Sequence, residues 1–341
     1  MTTTSCWREV SDRRIVRDLG PWTWPALVPA AATASEIQAA VQRIRDHTVT
    51  TPVRALEVSG ARCAAKLESL QSTGSFKIRG AANRMLTLSD RERAAGVVTA
   101  SSGNHGLAVA RLAFELGLRA VVCVPRDADP VKLWAIRDAG AEVHEDNEDF
   151  DASERQAVTL AQQRGLCFVH PFDDLKVIAG HATVGVELAA QVPDASAVLI
   201  PLSGGGLAAG VASALRAAGR TTRLIGVSPT HAPAMYRSLL AGAPVRVQER
   251  PTLAGALSGG LDDGNRYSLG LVSGLMDEVW LVSELEIADA MIWGVESLDT
   301  PVEGAGAASL AALALPAARR VGRGGQVVAV VSGGNVDTGT V

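Results

Sequence analysis

Short apolar, β-branched runs alternate with helical periods along most of the chain, and this alternation limits the fold more than any other feature. The strand-like runs Val97–Ala100, Ala120–Pro125 and Glu142–Glu145 are separated by helical spacing over Asn104–Leu118 and Asp129–Ala139. A helix near Ser153–Arg164 and a strand at Cys167–Val169 complete that set. The pattern restarts with helix His181–Val192, strand Ala197–Leu202, helix Leu207–Ala218, strand Leu224–Val227 and helix Ala234–Ala241. Strand Glu278–Val282, helices Glu284–Ser297 and Gly306–Ala317 and strand Val327–Val331 follow. Strands of this length joined through helices predict βαβ units and parallel sheets, so the fold class is α/β with two doubly wound open sheets. A chain of 341 residues can bury a core in each of two domains. We assign 36–90 and 174–341 to a large domain, 91–173 to a small one and 1–35 to an N-terminal extension, read as mobile because it has no sustained period.

Composition removes several function classes. Thirty-two Lys and Arg against 36 Asp and Glu leave a net charge of −4 without a basic block, so no nucleic-acid partner is expected. No apolar run is long enough to span a membrane. Cys6, Cys63, Cys123 and Cys167 are widely spaced, with neither a CxxC nor a metal-ligand pattern, which predicts a reducing compartment and no zinc site. The stretch Pro21–Ala34 imitates a secretory signal poorly because of its prolines and the acidic Glu9, Asp12 and Asp18 before it, so the expected location is cytoplasmic.

Four polar or glycine-rich junctions carry chemistry. Ser72-Thr73-Gly74-Ser75-Phe76-Lys77 places a lysine at the head of a helix, where the dipole opposes a cation and apolar neighbours favour a neutral or imine-linked amine. A solvated first-turn lysine is the ordinary alternative. Ser101-Ser102-Gly103-Asn104-His105-Gly106 joins a strand to a helix with more polar groups than an N-cap needs, a pattern suited to a carboxylate. Ser203-Gly204-Gly205-Gly206-Leu207 opens another helix with glycines that let backbone N–H groups converge on an anion. It is neither a Walker A loop nor a dinucleotide fingerprint, since no Lys-Ser/Thr follows and Ala209 breaks the GxGxxG spacing. Ser332-Gly333-Gly334-Asn335 ends the last strand; a surface turn would explain its glycines and not its serine.

In this order and spacing the four motifs resemble those of the threonine and serine dehydratases, fold-type-II pyridoxal-phosphate enzymes with a tryptophan synthase β-like fold. The resemblance covers roughly residues 36–338. It implies pyridoxal 5′-phosphate held by the large domain, with Lys77 carrying it as a Schiff base and Phe76 packing on its ring. By the same resemblance Asn104 meets the 3′-oxygen, Ser203, Gly204, Gly205, Gly206 and Leu207 take the phosphate, and Ser332 meets the pyridine nitrogen. Ser101, Ser102, Gly103 and His105 would hold the substrate carboxylate, with Lys77 and Ser102 catalytic. The other lysines, Lys66, Lys132 and Lys176, are expected on other elements and out of reach. The branch with metal-binding carboxylates would place them near Ser228 and Ala234, so no metal is expected. Pro201–Gly210, Ile225–Ser228, Val302–Ala307 and Ser332–Asp337 most resemble the hydroxyectoine-utilisation dehydratases.

The resemblance implies a dehydratase or ammonia-lyase that eliminates the β-hydroxyl of a threonine- or serine-like amino acid to give a 2-oxo acid and ammonia. A serine at 332 cannot protonate the pyridine nitrogen, which favours elimination over transamination. A racemase using Lys77 and Ser102 as opposed bases is the rival within the fold, and a non-catalytic α/β ligand-binding protein the rival outside it. A cationic, hydroxyectoine-derived substrate would need an acidic wall, with Asp262 and Asp263 as candidates against their reading as a solvated loop. The partners expected are a small amino acid and a second copy of the chain, as a homodimer or higher homo-oligomer.

Overall fold

The computed structural model describes residues 8–9, 15–17 and 32–336 apart from 59 and 249. Its strands are β1 (Arg8–Glu9), β2 (Ile15–Arg17), β3 (Val53–Val58), β4 (Ala61–Leu67), β5 (Val97–Ala100), β6 (Ala120–Pro125), β7 (Glu142–Asn147), β8 (Cys167–Phe168), β9 (Ala195–Pro201), β10 (Arg223–Pro229), β11 (Glu278–Val282) and β12 (Gln326–Val331). The helices are α1 (Ala34–Ile44), α2 (Lys77–Met85), α3 (Asp90–Ala95), α4 (Asn104–Leu116), α5 (Pro130–Asp138), α6 (Phe150–Arg164), α7 (Leu175–Gln191), α8 (Gly206–Ala217), α9 (Ala234–Ala241), α10 (Ser268–Leu275), α11 (Glu284–Leu298), α12 (Gly304–Leu313) and α13 (Pro316–Val321).

Two sheets result. The larger runs β1-β2-β11-β10-β9-β12-β4-β3 and the smaller β7-β6-β5-β8. All pairings in the smaller sheet are parallel, as are those from β11 through β10, β9 and β12 to β4. The outer strands β2 and β3 pair antiparallel. Within the expected extension, residues 8–9 and 15–17 thus form a ribbon added to the β11 edge; its other residues before 32 lie outside the described ones.

The central strands are apolar on both faces, as parallel strands between helical layers must be. On β12, Val328 and Val330 join a core with α7, α8 and α10, while Val327, Ala329 and Val331 join a second core with α11, α12 and α13. α2 reaches the other sheet: Ile78, Ala81, Ala82 and Met85 pack with Val97, Val109 and Leu112. The helix expected over Gly306–Ala317 is two helices, because Pro316 has no N–H to continue α12 and instead takes the first position of α13.

Candidate active site

Four helices begin at one cleft between the sheets. Phe76 and Lys77 start α2, Gly103 and Asn104 start α4, Gly205 and Gly206 start α8, and Glu303 precedes α12; all of these residues line the cleft. None of the four has a side-chain cap, a feature shared with α9, α10 and α13 away from the cleft, whereas Thr33, Ser89, Asp174 and Ser283 cap α1, α3, α7 and α11. An uncapped helix start offers free backbone N–H groups and the positive end of the helix dipole to an anion. Neither the serines nor Asn104 caps α4, since the N-cap is Gly103 and Ser101 Oγ accepts from the Gly103 N–H at 3.2 Å.

Lys77 is fixed by its surroundings on both sides in sequence. Phe76 N–H donates to the Ser332 carbonyl at 3.0 Å, and Ser75 pairs with Gly333, so the lysine turn is tied to the end of β12. The Lys77 ammonium donates to the Pro171 carbonyl at 2.8 Å and lies 5.2 Å from the Phe76 ring centre. Burial pushes the amine down to about 8, against the pull of the Glu303 carboxylate. Two residues further on, Arg79 anchors α2 in a buried ion network. Its guanidinium reaches Glu68 at 2.7 and 2.8 Å and Glu187 at 2.7 and 3.0 Å. Lys66, which is fully buried, also bonds Glu187, Gln191 and the Thr51 carbonyl. Lys66 is therefore committed to structure. Lys132, on α5, differs from expectation by lining the cleft.

Asn104 is held in one orientation by a relay of side chains. Asn335 Nδ2 donates to Asn104 Oδ1 at 2.8 Å and to the Thr73 carbonyl at 2.9 Å, while Asn104 Nδ2 donates to Glu303 Oε1 at 2.7 Å. This orientation leaves the second Asn104 N–H for another partner. Glu303 was not anticipated from sequence; the signal available was an acidic residue before the Gly304-Ala305-Gly306-Ala307 helix start. His105 also lines the cleft, but it brings no positive charge. Its Nε2 faces the Val169 carbonyl at 3.1 Å and must carry the proton, and burial, with Lys77 nearby, pushes the ring down to about 3.

The glycine loop is shaped by a strap, residues 170–173, that crosses it. A Cβ on Gly204 would lie 2.4 Å from the Phe172 ring, and one on Gly206 2.7 Å from the Phe172 carbonyl. Gly205 has φ +87°, which favours glycine whatever the space. Asp173 then accepts from the N–H groups of Arg266, Tyr267 and Ser268 at 2.7 to 2.9 Å and secures the start of α10. Ser203, Leu207 and Ser332 line the same cleft, as do Ser101 and Ser102.

The acidic wall expected from Asp262 and Asp263 is not found, because both are exposed and the cleft carboxylate is Glu303. Ser228 donates to the Leu202 carbonyl at 2.6 Å and Ala234 opens α9, so neither offers a carboxylate. Glu154, His170 and Asp262 bring candidate ligand atoms within 4.8 Å of one another. His170 Nδ1, however, accepts from the N–H groups of Phe172 and Asp173, which puts the ring proton on Nε2, the nitrogen facing Glu154 at 3.6 Å. That tautomer has no lone pair left for a cation.

The cleft suits a cofactor with an aldehyde and a phosphate: a half-buried amine at Lys77 whose ammonium form is disfavoured and an uncapped, glycine-opened helix at Gly206. Residues 44–333 match the family described as pyridoxal-phosphate dependent enzyme, and the chain belongs to that family. It is 39% identical over 285 residues to the L-threonine ammonia-lyase of Thermotoga maritima, covering 84% of this chain and 70% of that protein. Among solved structures, maize serine racemase superposes with a TM-score of 0.84 at 33% identity, covering 91% of this chain and 95% of that one. The serine racemase of Dictyostelium discoideum gives 0.83 at 35%, covering 90% and 100%. A solved threonine deaminase gives 0.80 at 36%, covering 89% and 99%. The cofactor is pyridoxal phosphate, and the ammonia-lyase and the deaminase among these relatives are lyases. Among the described residues no helix is long and apolar enough to cross a membrane.

Proposed function

We propose that the chain eliminates the β-hydroxyl of a hydroxy amino acid, releasing a 2-oxo acid and ammonia, with Lys77 and Ser102 as its catalytic residues. The observation that carries this reading is the convergence of a depressed amine and uncapped helix starts on one cleft. Ser203, Gly204, Gly205, Gly206 and Leu207 would hold the phosphate, with Phe76, Asn104 and Ser332 around the ring. Pyridoxal phosphate, when bound, supplies the electron sink at the substrate α-carbon.

The protein supplies placement and proton transfer. The N–H groups at the start of α4, with Ser101 and Ser102, orient the substrate carboxylate, and the Gly103 N–H would leave Ser101 Oγ to join them. Lys77 Nζ takes the α-proton, which an amine does readily in its neutral form. Ser102 lines the cleft from a different element and would give or accept a proton there. The leaving hydroxyl departs with a proton as water, and hydrolysis of the residual imine yields the two products. Ammonia and 2-oxo acid release from threonine and serine tests this reading. Loss of optical activity without ammonia would replace it with the racemase reading, which the likeness to maize serine racemase keeps open.

At the finer level the substrate is a hydroxylated diamino acid or other hydroxyectoine-derived compound, consistent with Glu303 being the carboxylate that lines the cleft. Specificity constants decide it: a value for threonine well above that for the cationic substrates would overturn the finer reading and leave a threonine dehydratase.

A further inference from the structure

α7 contains a histidine that the reaction above does not use. His181 is 0% exposed, and neither Nδ1 nor Nε2 has a hydrogen-bond partner. Buried polar atoms are ordinarily paired, and a buried imidazole with both nitrogens unpaired is unfavourable. Helix α2 also makes room for it with glycine. A Cβ on Gly80 would lie 2.3 Å from Nε2, and glycine inside a helix is itself unfavourable. A leucine would fill the same volume without unpaired nitrogens, so packing alone does not account for the imidazole.

Its position suggests what does. The ring meets Phe76 edge-on, with centres 4.8 Å apart and planes at 62°. The Gly206 backbone at the first turn of α8 lies beside the imidazole, without the geometry of a hydrogen bond to either nitrogen. Phe76 and Gly206 both line the cleft, so His181 stands behind the wall that joins the lysine turn to the glycine loop. The other titratable groups that face it are Lys77, His105 and Arg79; burial first, and then Lys77, keep the ring well below its ordinary value and neutral. A neutral ring has one N–H and one lone pair, enough to hold a backbone group without adding charge beside Lys77.

We propose that His181 is a positioning residue: its ring packs T-shaped with Phe76 and offers an N–H to the Gly206 backbone beside it, so that the lysine turn and the phosphate-binding loop keep one spacing before the cofactor arrives. The inference rests on the reading that residues 203–207 take the phosphate. It is tested on full-length apo-protein by equilibrium dialysis with pyridoxal phosphate, together with thermal unfolding midpoints. His181→Leu and His181→Met are expected to bind about tenfold more weakly or worse, with midpoints equal to or above wild type, because preorganisation is lost and packing is not. His181→Gln, which keeps an N–H, is expected within about threefold of wild type. Unchanged affinity in the leucine and methionine variants would overturn the proposal. So would affinity that falls only in step with the midpoint, or failure of both variants to fold, since each assigns the ring to packing. Mapping the borohydride-reduced adduct in wild type separates the two readings. An adduct away from Lys77 refutes the site itself, whereas one on Lys77 with wild-type affinity in His181→Leu refutes only this inference.

Discussion

Lys77 sits where its ammonium form is disfavoured, and the consequence for stability has a definite sign. At pH 7 the amine is protonated in both the folded and the unfolded chain, so the full cost of burying the charge is present. As pH rises through about 8 the folded amine loses its proton first; the cost shrinks and is gone above the ordinary value of 10.5. Apo Lys77→Met should therefore be more stable than wild type at pH 7 by on the order of 2 kcal/mol. That advantage should shrink between pH 8 and 10.5, as read from urea midpoints at several pH values. A gap that stays constant across this range would mean that the amine is not strained by burial. The residue scale also separates the cleft histidine from the lysine: His105 is neutral, and its Nε2–H is committed to Val169.

At the scale of elements, the site is a set of helix starts left uncapped by side chains. Gly205 shows how strictly one of them is shaped. With φ at +87° and a Cβ that would lie 2.7 Å from Met235 Cε, Gly205→Ala should cost about 1–3 kcal/mol in unfolding free energy and weaken cofactor binding. Urea unfolding and dialysis would show both, and an alanine variant with wild-type values would mean the loop tolerates another course. The junctions themselves were legible because glycine and hydroxyl residues at strand ends are local signals. The bounds of α9 and β11 agree with the expected ones for the same reason. What escaped depends on distant partners. The β3–β4 hairpin was not expected, since Lys66 and Arg62 break its apolar pattern, and Lys66 is buried against distant partners, among them Glu187, 121 positions later. α7 starts at Leu175, six positions before the expected His181, because Asp174 caps it with bonds to the N–H groups of Lys176 and Val177. Glu303 could not be read as a site residue because Asn104 lies 199 positions away in sequence.

Across the whole molecule, two sheets, a strap and a buried ion network converge on the position of one amine. The strap bonds Lys77 through Pro171, presses Phe172 on the glycine loop and ties Asp173 to α10, while Arg79 and Lys66 anchor α2 and β4 to α7. The chain has four lysines, and Lys77 and Lys132 both line the cleft, so the account stands on which of them forms the Schiff base. Borohydride reduction of the cofactor-loaded enzyme followed by peptide mapping answers this directly. The pyridoxyl adduct is predicted on Lys77 alone and absent from Lys77→Ala; an adduct on Lys132, or one that persists in Lys77→Ala, would contradict the account.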